Sequence, residues 1–325
     1  MNNNKLRVGV IGVGHMGEYH VQKYKTLPNV QLMGIVDTNS DRANEIGQRY
    51  SIKVYNQYEE ILKQVDAVSL AVPTEAHFEV AKDILSHGVH LLVEKPISYK
   101  IECGDSLINM AHERKLILRV GLVERFNPAI VKMETMLTKP ILIDAHRMNL
   151  FTTRGTDVDV VFDLMIHDLD IILHIVHSEV KEVHAVGMSV ITPKTDVANA
   201  RLIFENGTVA NLTASRVSHK TIRKLRVFQP NSLLEADCLK RELGVIRLDN
   251  GGRDPDGLSP AAPDKTTFPD SDPLADQIRS FIDAVMTSSK QALNSWDERK
   301  ALKIALGIID QITSGCKRFQ PPYSF

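Results

Sequence analysis

Two groups of side chains in this sequence have the types and spacing for moving a proton. Lys95 stands in Glu94-Lys95-Pro96, directly after the apolar run Val89-His-Leu-Leu-Val93. A lysine at the end of a buried strand can donate to a developing alkoxide or take a hydroxyl proton, once partial burial or a nearby cationic ring brings its pKa down. Solvated, the same lysine is idle. Pro96 fixes its own φ and permits a cis bond, and so sets the direction of the lysine. The second group is Asp163-Leu-Met-Ile-His167. Four residues apart on a helix, its carboxylate and imidazole share a face. The carboxylate favours the imidazolium and fixes the tautomer, which suits a histidine that takes a proton from a hydroxyl. The plain alternative is a surface pair worth a few tenths of a kcal/mol.

A third stretch holds rather than reacts. The apolar run Leu6-Arg-Val-Gly-Val-Ile leads into Gly12-Val-Gly14-His-Met-Gly17, and a helical pattern continues to about Leu27. Gly12 allows a sharp turn, Gly14 lets a pyrophosphate approach the backbone, and Gly17 lets helix and strand pack closely. The first helical turn, His15-Met16-Gly17, offers free N–H groups and a partial positive charge to the phosphates. A second apolar run, Val30 to Val36, ends in Asp37, where the dinucleotide fingerprint places a carboxylate on the ribose 2′-hydroxyl. A carboxylate there selects NAD over NADP, because a 2′-phosphate would meet it.

These residues need a frame. Strand and helix signals alternate up to about Gly121: helices over Ser40–Tyr50, 57–64, 74–85 and 101–114, and strands over 52–54, 66–72, 89–93 and 116–121. Ser40 and Thr74 are candidate N-caps. The pattern is that of a doubly wound parallel sheet, whose sites lie at the carboxyl ends of its strands. The glycine turn, Asp37, Pro73-Thr74, Glu94-Lys95-Pro96 and Gly121 to Asn127 all fall there. Past about Pro140 the pattern changes. A strand over 141–150, a polar loop over 151–157 and a helix over 160–176 precede β-rich runs from Val180 to Leu248, with turn signals at Glu205-Asn-Gly207 and Gln229-Pro-Asn231. Strands without intervening helices make a mostly antiparallel sheet. A Gly/Pro/Asp-rich loop over 250–273 and two helices, about 274–288 and 295–314, close the chain. The expected fold class is α/β. A Rossmann domain spans residues 1–123, and an α+β substrate and oligomerisation domain with an open sheet spans 124–325, its last helices free to pack back on the first domain.

Arg125-Phe-Asn127-Pro128 lies just past the last strand of the first sheet. Asn127 is placed either to bond a nicotinamide carboxamide or to start a helix. Arg125, Asp168 and Arg154, the last in the loop before the Asp163 helix, are the candidate substrate contacts. On that helix Ile166, Leu169, Ile172, Leu173 and Val176 form the apolar stripe, while Asp170, His174 and His177 continue the polar face. Three ligands from His167 to His174 would spread over about 10 Å of helix, too far for one ion, so no metal is expected. Arg216, Lys220, Arg223, Lys224 and Arg226 read as a solvated face or subunit rim, with contact to substrate phosphates as the alternative.

Composition narrows the classes. A net charge of −1 excludes the footprint of a nucleic-acid or anionic-membrane binder. Cys103, Cys238 and Cys316 show neither zinc spacing nor an even count for a disulfide framework. No signal-peptide anatomy or membrane-length apolar run is present, and the cytoplasm is the expected compartment.

With these residues in hand, the chain resembles the Gfo/Idh/MocA family of NAD(P)-dependent sugar oxidoreductases. The likeness rests on the glycine turn, Pro73 with His77, Glu94-Lys95-Pro96 and Asp163-x-x-x-His167. Phe162, Leu164 and Met165 depart from it, since many members carry glycines there. The resemblance implies that Lys95, Asp163 and His167 are catalytic. It adds His77 and Glu94 to a cofactor set of Gly12, Gly14, His15, Met16, Gly17, Asp37, Pro73, Thr74 and Asn127. It also implies dimers or tetramers through the C-terminal sheet. Glu124 to Pro128 with Arg154 to Asp159 is similar to a narrower group, the UDP-N-acetylglucosamine 3-dehydrogenases, whose 3-keto product goes to a partner aminotransferase. The expected reaction is hydride transfer between a sugar-ring secondary alcohol and nicotinamide, with Lys95 and His167 acting on one carbon. Another sugar, an inositol or an imine is the alternative substrate, and an NAD-sensing regulator the alternative to an enzyme.

Overall fold

The computed structural model describes residues 5–153, 155–156, 158–247, 263–287 and 296–316. The chain divides into two compact units, residues 1–123 with 272–299 and residues 124–271 with 300–325.

The first unit begins as a βα alternation: β1 (Leu6–Ile11), α1 (His15–Thr26), β2 (Val30–Val36), α2 (Ser40–Tyr50), α3 (Tyr58–Leu62), β3 (Ala67–Leu70), α4 (Thr74–Ser86), β4 (His90–Val93), α5 (Ile101–Glu113) and β5 (Leu118–Val120). Its strands form one parallel sheet in the order β2-β1-β3-β4-β5. Burial on both faces explains why these strands are unbroken apolar runs; Val8, Val10, Ala67, Leu70, Leu91 and Val93 are all fully buried. Two caps differ by one residue from expectation. Asn39 rather than Ser40 caps α2, accepting from the Arg42 N–H at 3.0 Å, and Pro73 stands at the cap of α4 with Thr74 already inside the helix. The stretch 52–54 makes only a single bridge, Ile35 to Val54, instead of a strand.

A 3₁₀ turn at Val123–Phe126 leads into the second unit, followed by α6 (Pro128–Glu134) and β6 (Leu142–Met148). The helix expected over 160–176 is two structures: a π turn at Val161–Met165 and α7 (Ile166–Val176). There follow β7 (Val180–Met188), β8 (Val197–Phe204), β9 (Val209–Ser215), β10 (Ile222–Gln229), β11 (Ser232–Asp237), β12 (Glu242–Arg247) and β13 (Asp264–Thr267). β13 lies inside the stretch expected as loop; it adds an exposed edge to β12. Among the described residues these strands form one eight-stranded sheet, antiparallel except where β6 pairs with β9. Period-2 burial fixes its packed face, with Ile143, Ala145, Ala198, Ala200, Leu202, Leu212, Leu225 and Val227 on that side.

α8 (Pro273–Thr287) returns to the first unit, where Ile278, Phe281 and Ile282 complete the core around Val8, Val21 and Tyr24. In α9 (Trp296–Cys316), Gln311 accepts from the Ala185 N–H at 2.9 Å and donates to the Val183 carbonyl at 2.8 Å, clasping β7 within the second unit.

Candidate active site

In the first unit the glycine turn has the shape its spacing requires. Gly12 has φ +83°, and a Cβ there would lie 2.6 Å from the Ala71 carbonyl oxygen. A Cβ on Gly17 would lie 1.9 Å from the Gly12 oxygen, whereas one on Gly14 would meet nothing within 4 Å. The outer glycines are therefore needed for packing, and the middle one borders open space of the kind a pyrophosphate fills. The first intrahelical bond of α1 runs from Glu18 N–H to the Gly14 carbonyl, so the His15, Met16 and Gly17 N–H groups lie ahead of it. Asp37 follows β2 directly and accepts from the Val13 N–H at 2.7 Å and the Asn39 N–H at 2.8 Å, which aims its carboxylate beside the turn. Arg42 touches Val13 as well, donating to its carbonyl at 3.1 Å, but its guanidinium is neutralised by Glu18 and Glu45. Both the turn and the carboxylate fit a dinucleotide with a free 2′-hydroxyl.

Lys95 is half-buried at the end of β4, and the Lys95–Pro96 bond is cis. Its neighbours face inward. The Glu94 carboxylate takes His20 Nε2 at 3.1 Å, in space that exists because residue 121 is glycine; a Cβ there would lie 2.7 Å from Glu94 Oε1. His77, 1% exposed, lies between the carbonyls of Pro96, 2.8 Å from Nδ1, and Val72, 2.9 Å from Nε2. Burial pushes its imidazole down from the ordinary range, and the carbonyls only partly restore it. Both residues, expected as cofactor contacts, brace the loops at the strand ends.

In the second unit Asp163 lies on the π turn, where the Ile166 N–H reaches back five residues to the Val161 carbonyl. Gly155, at φ +73°, packs on its carboxylate; a Cβ there would lie 3.1 Å from Asp163 Oδ2. Arg216 holds this loop from beneath, donating to the carbonyls of Gly155 at 2.7 Å and Val158 at 2.6 Å. His167 opens α7, half-buried, with Nδ1 inside the protein. Arg154 lies outside the described residues.

Other expectations for this unit change. Asn127 spends all its polar atoms on the fold: it accepts from the Ala129 N–H at 3.2 Å and donates to Glu124 at 3.2 Å and the Cys238 carbonyl at 3.0 Å. It caps α6. Asp168, 5% exposed, takes two nitrogens of Arg147, at 2.7 and 3.1 Å. Arg125 is bidentate on Asp170, at 2.5 and 2.6 Å. Both candidate substrate contacts are thus committed to internal ion pairs. α7 is covered nearly all round, because these arginines neutralise the acids on its supposed polar face. His174 pairs with Glu134 at 3.2 Å and His177 ends the helix at φ +48°. Of the basic cluster, Arg216 is 4% exposed rather than solvated, while Lys224 pairs with Glu235 at 2.8 Å.

Comparison with known proteins decides the family. Residues 6–122 match the oxidoreductase family with NAD-binding Rossmann fold, and residues 129–229 match the GFO/IDH/MocA C-terminal domain. The UDP-N-acetylglucosamine 3-dehydrogenase of Acidithiobacillus ferrooxidans is 36% identical over 93% of this chain and 96% of its own length. The chain belongs to the Gfo/Idh/MocA family. A crystal structure of that Acidithiobacillus enzyme superposes with a TM-score of 0.87, at 35% identity, covering 95% of this chain and 98% of that one. The myo-inositol 2-dehydrogenase of Thermotoga maritima is 25% identical over 76% of this chain and 80% of its own. As a Gfo/Idh/MocA member the protein is an NAD-dependent oxidoreductase. Among its described residues, no helix is long and apolar enough to cross a membrane.

Three residues of this Gfo/Idh/MocA protein that shape its site escape a motif search: His20, Arg147 and Arg216. Arg147 had a readable signal, since it falls in the buried phase of β6 with Ile143 and Ala145. Asp196 acts one step further out. Its carboxylate accepts from the N–H groups of Val190, Ile191 and Thr192 at 2.8, 2.6 and 2.8 Å, and from Thr192 Oγ1 at 2.6 Å. The turn it closes carries Thr195, whose N–H donates to Asp159 at 3.0 Å, four residues before Asp163. Burial works against the Asp196 carboxylate, but these donors outweigh it and hold the pKa at about 2, below the ordinary 3.8. A depressed carboxylate stabilises the fold above its unfolded pKa and loses that contribution as pH falls through the folded one. Asp196→Asn should therefore lower the thermal midpoint at pH 7 and matter progressively less between pH 4 and 2. A midpoint difference that stays constant over that range refutes this role.

Proposed function

We propose that this enzyme oxidises a secondary hydroxyl of a sugar nucleotide, the 3-hydroxyl of UDP-N-acetylglucosamine fitting best. The observation that carries the reading is near full-length similarity, in sequence and in fold, to an enzyme named for that reaction. When bound, NAD supplies the hydride acceptor. The His15–Gly17 amides hold its pyrophosphate and Asp37 its adenosine ribose. His167 takes the proton of the substrate hydroxyl, and Asp163 orients its ring and stabilises the imidazolium. Lys95 stabilises the alkoxide that forms as the proton leaves. The product is a 3-keto sugar nucleotide, whose ketone an aminotransferase can convert to an amine.

The sheet of the second unit supports a further part of the proposal, assembly of two or more copies. One face packs on the unit's own helices. At its edge strand β7 the other exposes Val186 and Met188, and the turn that follows exposes Val190 and Ile191, each more than half accessible, at 65, 58, 54 and 56%. A patch of this kind marks a protein interface, and a second copy of the chain is its proposed occupant.

The test is steady-state turnover of UDP-N-acetylglucosamine with NAD, followed by NADH absorbance, with light scattering on the same preparation for the assembly. NADH should form, and kcat/KM with NADP should be at least about tenfold lower, because a 2′-phosphate meets Asp37. Turnover of myo-inositol in place of the sugar nucleotide moves the substrate assignment, and a clear preference for NADP removes the role of Asp37. A monomer removes the assembly.

A further inference from the structure

A buried polar chain in the first unit has no part in the reaction as described. Tyr24 and His20 on α1 and Ser69 on β3 are 1, 0 and 0% exposed. The Tyr24 hydroxyl lies 2.7 Å from Ser69 Oγ, Ser69 Oγ lies 2.9 Å from His20 Nδ1, and His20 Nε2 lies 3.1 Å from Glu94 Oε1. A buried polar group must be satisfied, and the donors and acceptors here can be assigned one by one. In the Nε2–H tautomer His20 donates to the Glu94 carboxylate, and its bare Nδ1 accepts from the Ser69 hydroxyl. Ser69 Oγ in turn accepts from Tyr24, whose phenol burial keeps protonated. Each proton has one acceptor and none is left over. Hydrogen bonds aligned head to tail in this way strengthen one another.

The chain ends on the residue before Lys95. Glu94 is still in ladder register, its N–H donating to the Leu70 carbonyl at 2.9 Å, and Gly121 leaves its carboxylate room to turn inward. His77 holds Pro96, the residue after Lys95, by its carbonyl. Both flanks of the lysine are thereby fixed from the interior.

We propose that Tyr24, Ser69 and His20 form a directed hydrogen-bond chain that locks the Glu94 side chain and, through it, the backbone from which Lys95 projects. His20 is a positioning residue for Lys95. This inference rests on the role given to Lys95 above, and its test separates the two.

The test has a spectroscopic arm and a kinetic arm. With ¹⁵N-labelled histidine, NMR of the full-length protein should show His20 as the Nε2–H tautomer at neutral pH, with Nδ1 bare. This readout needs no turnover, so it stands if the sugar nucleotide proves not to be the substrate. Hydrogen on Nδ1, in either the other tautomer or the imidazolium, overturns the chain. In the kinetic arm, His20→Leu should lower kcat about 10- to 100-fold, the scale of a small misplacement at a reacting group, while NAD affinity stays within about threefold. His20→Gln, which returns a donor near the Nε2 position, should recover most of the loss. Ser69→Ala and Tyr24→Phe each delete a single oxygen, so they test the chain even if His20→Leu does not fold, and each should lower kcat by about two- to fivefold at unchanged NAD affinity. An unchanged kcat in Ser69→Ala, or a His20→Gln variant as slow as His20→Leu, refutes the positioning role.

Discussion

Lys95→Ala should lower kcat/KM for the sugar nucleotide by about 10²- to 10⁴-fold, the usual worth of a positioned proton-handling group, and leave NAD affinity within about threefold. The two effects separate because cofactor binding draws on different atoms: the turn at Gly12, Gly14 and Gly17, and the Asp37 carboxylate, belong to β1, α1 and β2, whereas Lys95 follows β4. The loss should fall mainly on kcat, since a group that stabilises an alkoxide meets its full partner only in the transition state. Lys95→Arg sharpens the result. A guanidinium keeps the positive charge but cannot be deprotonated near neutral pH. If the lysine acts only electrostatically, the arginine variant should recover part of the rate; if it must give up a proton, it should remain as slow as alanine. Steady-state kinetics with fluorescence titration of NAD measures both quantities. A near-wild-type rate in Lys95→Ala removes the lysine from the mechanism.

Arg147→Leu should destabilise the protein by about 3–5 kcal/mol, the cost of breaking a buried ion pair from one side. Its side chain is 2% exposed and lies between Glu124, 2.8 Å away, and Asp168, 2.7 Å away. Burial opposes the charge on Arg147, and the two carboxylates more than restore it. Burial also pushes Glu124 up, but Arg147 and Arg223 outweigh it and hold the carboxyl below its usual range. Removing the guanidinium takes the two hydrogen bonds from the buried Asp168 and leaves Glu124 with Arg223 and Asn127. Arg147→Lys keeps the charge but not the fork that spans two carboxylates, and should lie between leucine and wild type. Chemical denaturation gives the comparison. A leucine variant as stable as wild type means that neighbouring groups or water compensate the acids. Asp168 directly follows His167 in sequence, so the arginine variants should also disturb the peptide that carries the candidate base.

The first unit was legible because its signals are local. A parallel sheet buried on both faces must be built from short apolar runs, and a phosphate-binding turn must be made of glycines, so β1 to β5 and Gly12, Gly14 and Gly17 can be read one segment at a time. Local signals are weaker at the ends of elements. Ser40 and Asn39 are both good caps, and only backbone geometry chooses between them. Residues 52–54 have strand character but meet the edge strand β2 at one bridge only, Ile35 to Val54. Lys95, Asp163 and His167 stand out because a charged residue at the end of an apolar run, and an acid–histidine pair at helical spacing, are unusual at any position.

The direction of the inner side chains was not legible in the same way. Glu94 is expected against the cofactor on sequence; in the fold its carboxylate meets the His20 imidazole, 74 residues away. Asn127 could bind a carboxamide or cap a helix, and the carbonyl of Cys238, 111 residues on, decides for the cap. Asp168 reads as a substrate contact and Asp170 as part of a polar face until Arg147 and Arg125 reach them from β6 and the 3₁₀ turn. Most elements and the residues able to carry chemistry follow from the sequence, since propensity, period and side-chain type act along one segment. Only the tertiary structure decided which polar groups are used up inside the protein, because a buried donor or charge takes its partner from whichever strand or helix the fold brings within about 3 Å.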